Sequence, residues 1–110
     1  MATLTVQEIT RVGLAPAFSA AAGGGDQFAN NGRCFHEAKC ADASSKTVNY
    51  VVQQKVDGLS VTNLSITVPA TTGDRMTGSF PPDIYNDANG NVQVTYSAVT
   101  SVTGGAFRLT

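Results

Sequence analysis

The only histidine of the chain, His36, stands two residues from Cys34 and four from Cys40. No other three side chains in the sequence come as close to a chemical constellation. A thiol beside an imidazole is the nucleophile–base pair of cysteine catalysis, and two thiols with an imidazole are soft metal ligands. The spacing speaks against both. Residues i and i+2 of a strand share a face but sit about 6.6 Å apart, too far for a direct hydrogen bond without reach from both side chains. No nucleophile-elbow or oxyanion-loop pattern accompanies the pair. Two Cys and one His give at most three zinc ligands, and in no finger spacing. His36 is therefore expected on a half-exposed strand with no catalytic role. Cys34 and Cys40 would lie about 20 Å apart on a straight strand, whereas a disulfide needs Cα atoms within about 7 Å, so two free thiols are expected. Gly23-Gly24-Gly25 lacks the Lys-Ser/Thr of a phosphate loop. Titratable side chains do not cluster along the chain, and the expectation is a non-enzyme without cofactor or metal.

The stretch YNDANGNVQVTY, Tyr85 to Tyr96, has the Asp/Asn/Gly crowding of a calcium loop. An EF-hand loop needs oxygen ligands at positions 1, 3 and 5, Gly at 6 and Glu at 12. Counted from Asp87, positions 3 and 5 are Asn89 and Asn91, but position 6 is Val92 and position 12 is Ala98. The stretch suits a turn instead, with Asp87 bonding its own backbone and Asn89-Gly90 forming a type I′ corner that feeds a strand.

The elements around these residues are strands. The chain has 110 residues, enough for one domain that buries roughly 65% of its unfolded surface. Apolar residues are 42%, which argues against general disorder, and charged residues only 14%. Seven Lys and Arg stand against eight Asp and Glu, and the basic residues are scattered singly, which argues against nucleic acid as a partner. No apolar run approaches the ~20 residues that cross a bilayer. The N-terminus lacks a basic-then-apolar signal pattern, so a soluble protein made in a cytoplasm is expected.

Helical periodicity is nearly absent, and alternation of period two is frequent. In Lys46 to Val56, the residues Val48, Tyr50, Val52 and Val56 share one face, opposite Thr47, Asn49, Gln53 and Lys55. Asp57-Gly58 is a hairpin turn signal. Leu64, Ile66 and Val68 share a face up to Pro69, which ends the strand. Arg33 to Lys39, Arg75 to Phe80 and Asn91 to Ser97 read as further strands, and Thr3 to Thr10 as one whose alternation Gln7-Glu8 breaks. A last strand runs from Val99 to Leu109, with a bulge or kink at Gly104-Gly105. The fold class is all-β: a single antiparallel β-sandwich or jelly-roll-like domain with a long irregular N-terminal arm.

That arm is the segment 11–32, rich in Gly, Ala and Asn. It divides the chain into residues 1–32, an N-terminal strand and arm, and a sandwich core over 33–110. Two readings stand: a surface loop, or an arm that orders on a neighbouring subunit through Leu14, Phe18 and Phe28. On the arm reading, removing residues 1–32 leaves the sandwich folded. SFPPDIY, Ser79 to Tyr85, has two readings as well. In one it is a rigid crossover packing Phe80 and Tyr85 on the core, and in the other a partner-contact ridge built on Phe80, Pro81 and Pro82.

The motifs of the second half form a series: Val68-Pro69-Ala70, Gly73-Asp74-Arg75-Met76, Gly78-Ser79-Phe80-Pro81-Pro82, Tyr85-Asn86-Asp87 and Val92 to Ser97. With TRVGLAPAFSAAAGGGDQFANNGR before them, they resemble a group of small proteins encoded in the structural-gene regions of tailed bacteriophages and prophages. The sequence departs from that group at Gly104-Gly105, where apolar residues are expected, and in having Cys34 and Cys40. The resemblance implies a virion structural protein, and within that class a head-decoration or cement protein that binds the major capsid protein on the capsid surface. It also implies a homo-oligomer, a trimer being common in such proteins, and it carries no catalytic residues. A head–tail connector or tail component is the alternative within the virion. A carbohydrate-binding or adhesion module is the alternative outside it, though the chain has no Trp and three Tyr.

Overall fold

Alternation dictates most of what forms. In the computed structural model, which describes residues 1–109, twelve strands and one helical turn follow in order. They are β1 (Ala2–Thr3), β2 (Val6–Ile9), β3 (Ser19–Ala20), β4 (Asp26–Ala29), β5 (Cys34–Cys40), β6 (Lys46–Tyr50), β7 (Lys55–Val56), β8 (Leu59–Ser60), β9 (Leu64–Val68), β10 (Gly73–Gly78), α1 (Pro82–Tyr85), β11 (Asn91–Tyr96) and β12 (Val102–Leu109). The first sheet has the order β1-β4-β11-β6-β9. The second has the order β10-β5-β12-β2, with β3 also on β12. β7 and β8 form a separate two-stranded ribbon.

The two sheets face each other across one core. β5 alternates without a fault: Cys34, His36, Ala38 and Cys40 point inward, Phe35, Glu37 and Lys39 outward. They meet Val48 and Tyr50 of β6, Val92 and Val94 of β11, and Phe28 of β4. A strand side chain flanked by neighbours on both edges and by a sheet above has nowhere to meet water, which is why His36 is fully buried rather than half-exposed. Lys46 starts β6 at an inward position and directs its ammonium to Asp42, 2.6 Å away.

The all-β class holds, but the sheets are mixed. β1 runs parallel to β4 and β2 parallel to β12. The expected single strand over Thr3 to Thr10 is cut in two by the buried Leu4, and its halves join different sheets. The segment 11–32 is not a free arm. Residues 26–29 are a strand paired with β1 and β11, and residues 19–20 pair with β12. Residues 14–18 lie back on the second sheet, where Gln7 exchanges two hydrogen bonds with the backbone of Ala17, at 2.8 and 2.9 Å.

Three strand ends also differ from the sequence reading. β6 stops at Tyr50: Val51 N–H still donates to Gln93 O of β11, but Val52 N–H turns to the Asn63 side chain and Gln53 and Gln54 N–H to Ile84 O. β10 starts at Gly73 and ends at Gly78, leaving Phe80 outside it. No bulge interrupts β12, whose register on β5 runs unbroken from Val102↔Cys40 to Arg108↔Cys34. Gly104 and Gly105 are there for space. A Cβ on Gly104 would come within 3.1 Å of His36 Nε2, and one on Gly105 within 3.1 Å of Ala17 O.

Candidate binding face

The residues singled out for chemistry are all accounted for by the core. Cys34 and Cys40 are free, buried and at opposite ends of β5. Cys34 Sγ donates to Ala29 O and Cys40 Sγ to Ser44 O. His36 meets no thiol but a chain of oxygen groups that the sequence did not disclose. Its Nδ1 is 2.9 Å from the Tyr50 hydroxyl and its Nε2 3.4 Å from the Tyr96 hydroxyl, which donates to Asp26 Oδ2 at 2.6 Å. With the Tyr96 proton committed to Asp26, Nε2–H faces the Tyr96 oxygen and Nδ1 accepts from Tyr50. Phe28 lies parallel to the imidazole, 5.9 Å centroid to centroid. Burial pulls the His36 pKa down to about 4 and pushes Tyr50 up to about 12. Burial, then the Asp26 carboxyl, raises Tyr96 above its usual range. The imidazole and the carboxyl are sealed from solvent, His36 and Asp26 being 0% and 1% exposed, while Tyr96 is half-buried. The cluster crosses between the sheets and pins them together. Asp26 Oδ1 has no hydrogen-bond partner.

The turn at residues 87–91 is saturated by its own chain. Asp87 Oδ1 accepts from the amides of Asn89 and Asn91, and Oδ2 from Gln93 Nε2, at 2.9 to 3.0 Å. The Gln93 amide first, then the backbone amides of Asn91 and Asn89, hold the Asp87 carboxyl below the usual carboxylate range. Gly90 carries the positive φ, 79°, and Asn89 does not, so the corner is not the expected type I′ turn. Among the described residues, no group of three or more His, Cys, Asp or Glu is placed to hold a metal ion. Asp87→Ala is expected to lower unfolding stability by about 1–2 kcal/mol, with Asp87→Asn costing less, measured by urea denaturation.

Of the six expected contact residues, two are core. Phe28 and Phe80 are 0% and 1% exposed and lie 5.8 Å from each other. Phe80 also packs on Tyr50 and Tyr85. Asn30 fastens this region by donating from Nδ2 to Phe80 O and Asn86 Oδ1. Pro81 and Pro82 are exposed, and Pro82 opens the helical turn rather than prolonging an extended segment, because its fixed φ suits a first helical residue. Leu14 and Phe18 are half-buried on the outer face of the second sheet. There Phe18 meets Phe107 edge-on at 5.8 Å, under the Lys39 ammonium at 4.0 Å from its ring.

That outer face carries apolar side chains in contact with water. A groove of about 200 Å³ is lined by Leu14, Pro16, Phe35, Met76 and Phe107, with Ile9 and Glu37 at its sides. It continues into a depression of about 640 Å³ that shares Phe35 and Met76 and reaches Arg33, Gly78 and Leu109. Met76 and Leu109 are 61% and 60% exposed. Glu37 stands on this face diagonal to Asp74 across the β5–β10 pair. Partial burial and the neighbouring Asp74 carboxyl raise the Glu37 pKa. A second apolar feature is the β7–β8 ribbon. Its turn is type I′, with Asp57 at φ 53° and Gly58 at φ 76°, as the Asp-Gly signal predicts. Val56, expected to face inward, is exposed together with Leu59, since the ribbon has left both sheets. The alternation along 33–39 and 73–76 contained the outer face, but its meaning depended on knowing which residues lie over it.

No family model matches the chain, and neither a curated protein nor a solved structure matches it.

Proposed function

We propose that the protein is a structural component of a tailed-phage virion, a decoration or cement protein that binds the outer surface of the head. The observation that carries this reading is the motif series from Val68-Pro69-Ala70 to Val92–Ser97, which resembles such proteins over most of the chain. The surface chemistry agrees with a binding role. The outer face of the second sheet presents an apolar groove with few charges, and the exposed Pro81-Pro82 corner presents a rigid one. Contacts of that kind lose little to salt. A protein that binds the assembled shell better than loose subunits stabilises the shell by mass action. The partner is the major capsid protein, and Leu14, Phe18, Pro81 and Pro82 are the contact residues still accessible. Phe28 and Phe80 no longer belong to that set. A glycan-binding module would present aromatic rings; Phe28, Tyr50 and Phe80 are buried, and Phe18 and Phe35 are half-buried on the outer face.

The test is to purify virions of the source phage and quantify this chain against the major capsid protein by mass spectrometry. Comparable copy numbers are expected. A small ring-like number would move the protein to the neck or tail, and its absence would end the virion reading.

A further inference from the structure

A free strand edge invites another strand, and β-proteins ordinarily protect theirs. Among the described residues the two sheets end in four edges, at β1 and β9 in the first and at β10 and β2 in the second. Three are protected. β1 has only two residues. β2 carries Glu8, and its Gln7 side chain holds both backbone groups of Ala17. β10 carries Asp74 and Arg75, and the Arg75 guanidinium donates to Asp74 O at 2.9 Å. That carbonyl belongs to the open edge. Ala41 N–H donates to Ser101 O, so β5 turns its odd-numbered groups to β12 and its even-numbered ones to β10. The β10 groups left outside the ladder are then those of Asp74, Met76 and Gly78. β9 has no such protection. It lies within Gly58 to Gly73, a run without a single charged residue. No proline or bulge interrupts its pairing with β6, from Lys46↔Val68 to Tyr50↔Leu64. The same alternation shows which of its groups are left over. Ser97 N–H donates to Thr47 O and Val51 N–H to Gln93 O, so odd residues of β6 face β11 and even ones face β9. Leu64, Ile66 and Val68 therefore bond to β6, while the N–H and C=O groups of Ser65 and Thr67 point away from the sheet, about 7 Å apart. Leu64 and Ile66 are half-buried where Val68 is 1% exposed, so the inner side of the sandwich is open along the first part of this edge.

We propose that β9 is a strand-addition site: an extended, proline-free segment of a partner protein pairs with it and becomes a sixth strand of the first sheet. Main-chain hydrogen bonds to Ser65 and Thr67 supply the register. Alternate side chains of the segment are apolar and cover Leu64 and Ile66. Those between them are neutral and polar, to lie beside Ser65 and Thr67. Every residue of the segment that faces Ser65 or Thr67 must donate its own N–H, which is why proline is excluded. A second copy of this chain is a poor occupant. Two rigid sandwiches joined β9 to β9 meet along 5 residues a side, against the roughly 20–30 of a stable interface, and the twist of the sheets carries the rest apart. A segment needs no more than the strand, since the protein that carries it is free to engage elsewhere. The edge is separate from the outer-face groove of the second sheet, and the inference holds whether or not the virion reading does.

The probe is an end-capped, fluorescent peptide with the core Thr-Val-Thr-Val-Thr-Val and lysines at both ends for solubility. Titrated with the full chain, it is expected to bind saturably by anisotropy, and the same peptide with proline in place of the middle threonine is not. Amide exchange read by NMR locates the contact. Ser65 and Thr67 should exchange fast in the free chain and roughly tenfold or more slowly with the peptide bound, while Met76 on the β10 edge stays fast. Thr67→Pro removes a donor that the ladder to β6 does not use, so the melting curve should hold while peptide affinity falls roughly tenfold. The exchange pattern of the parent chain tests the site even if that variant melts early. Met76→Asp, in the outer-face groove, should bind the peptide as the parent does. No saturable binding, equal binding of the proline peptide, protection that spreads to Met76, or a folded Thr67→Pro chain that binds like the parent would each overturn the proposal. So would a parent chain that is already dimeric through β9 at the concentrations titrated.

Discussion

A chain beginning at residue 33 will not fold. Residues 1–32 supply β1 through β4, and these are built into both sheets. β4 covers the edge of β11 and places Phe28 against His36 and Phe80. β2 and β3 together cover the edge of β12, which would otherwise lie open along most of its length. Leu4 and Ala21 are further core residues from the same segment. Truncating a buried Phe to Ala alone costs about 3–5 kcal/mol, against a total stability of about 5–15 kcal/mol for a domain of this kind. Removing Phe28, the Asp26 carboxyl and four strands at once exceeds that total. The 33–110 fragment is expected to lack a cooperative thermal transition by circular dichroism and to expose apolar surface to a hydrophobic dye. A cooperative melt would show that the first 32 residues are an appendage after all. Whether residues 11–18 touch a partner must therefore be asked with single changes such as Leu14→Asp, not with deletions.

The sequence reading failed on this segment for a physical reason. Asp26-Gln27-Phe28-Ala29 gives two inward positions, one of them a carboxyl, after three glycines. So short a strand has no propensity of its own, and it forms because β11 and β1 flank it. Longer alternations were legible. β5, β9 and β11 lie within about a residue of where their patterns put them, although His36, expected on a half-exposed strand, is buried in β5. The alternation after Tyr50 ran on in sequence but not in space, since the Asn63 side chain and the Ile84 carbonyl take the amides from Val52 on. Gly104-Gly105 carried a true signal, read wrongly. Two glycines in a strand mark close approach as often as a bulge, and only the facing His36 ring and the Ala17 carbonyl decide which. The candidate binding face was the least legible part. Phe35, Met76 and Phe107 are unremarkable outward residues until β10, β5 and β12 bring them side by side.

The buried imidazole makes the fold sensitive to acid in a defined window. His36 has an ordinary pKa of 6.5 when unfolded and one of about 4 in the core, because burial disfavours its charged form. Above pH 6.5 it is neutral in both states and contributes no slope. Between 6.5 and about 4 the unfolded chain binds a proton that the folded chain refuses, so stability falls as pH falls. Below about 4 both states are protonated and the slope from this residue ends. The loss across the window is about 3 kcal/mol, a large part of the stability of a small domain. Asp42 and Asp87, whose carboxyls are held below 3.8 by their partners, act only at more acidic pH. Glu37 acts in the opposite direction, since its raised pKa lets the folded state take up a proton first. Comparison with His36→Gln removes these other groups, because they are common to both chains. The glutamine amide keeps a donor and an acceptor toward Tyr96 and Tyr50. Urea denaturation of both proteins at a series of pH values is expected to show the parent losing about 3 kcal/mol more than the variant between pH 6.5 and 4. The parent imidazole should still titrate as neutral at about pH 5 by NMR. Parallel pH profiles for the two proteins would mean that the ring is charged in the folded state, and that Asp26, through Tyr96, serves as its counter-charge rather than as the end of a neutral chain.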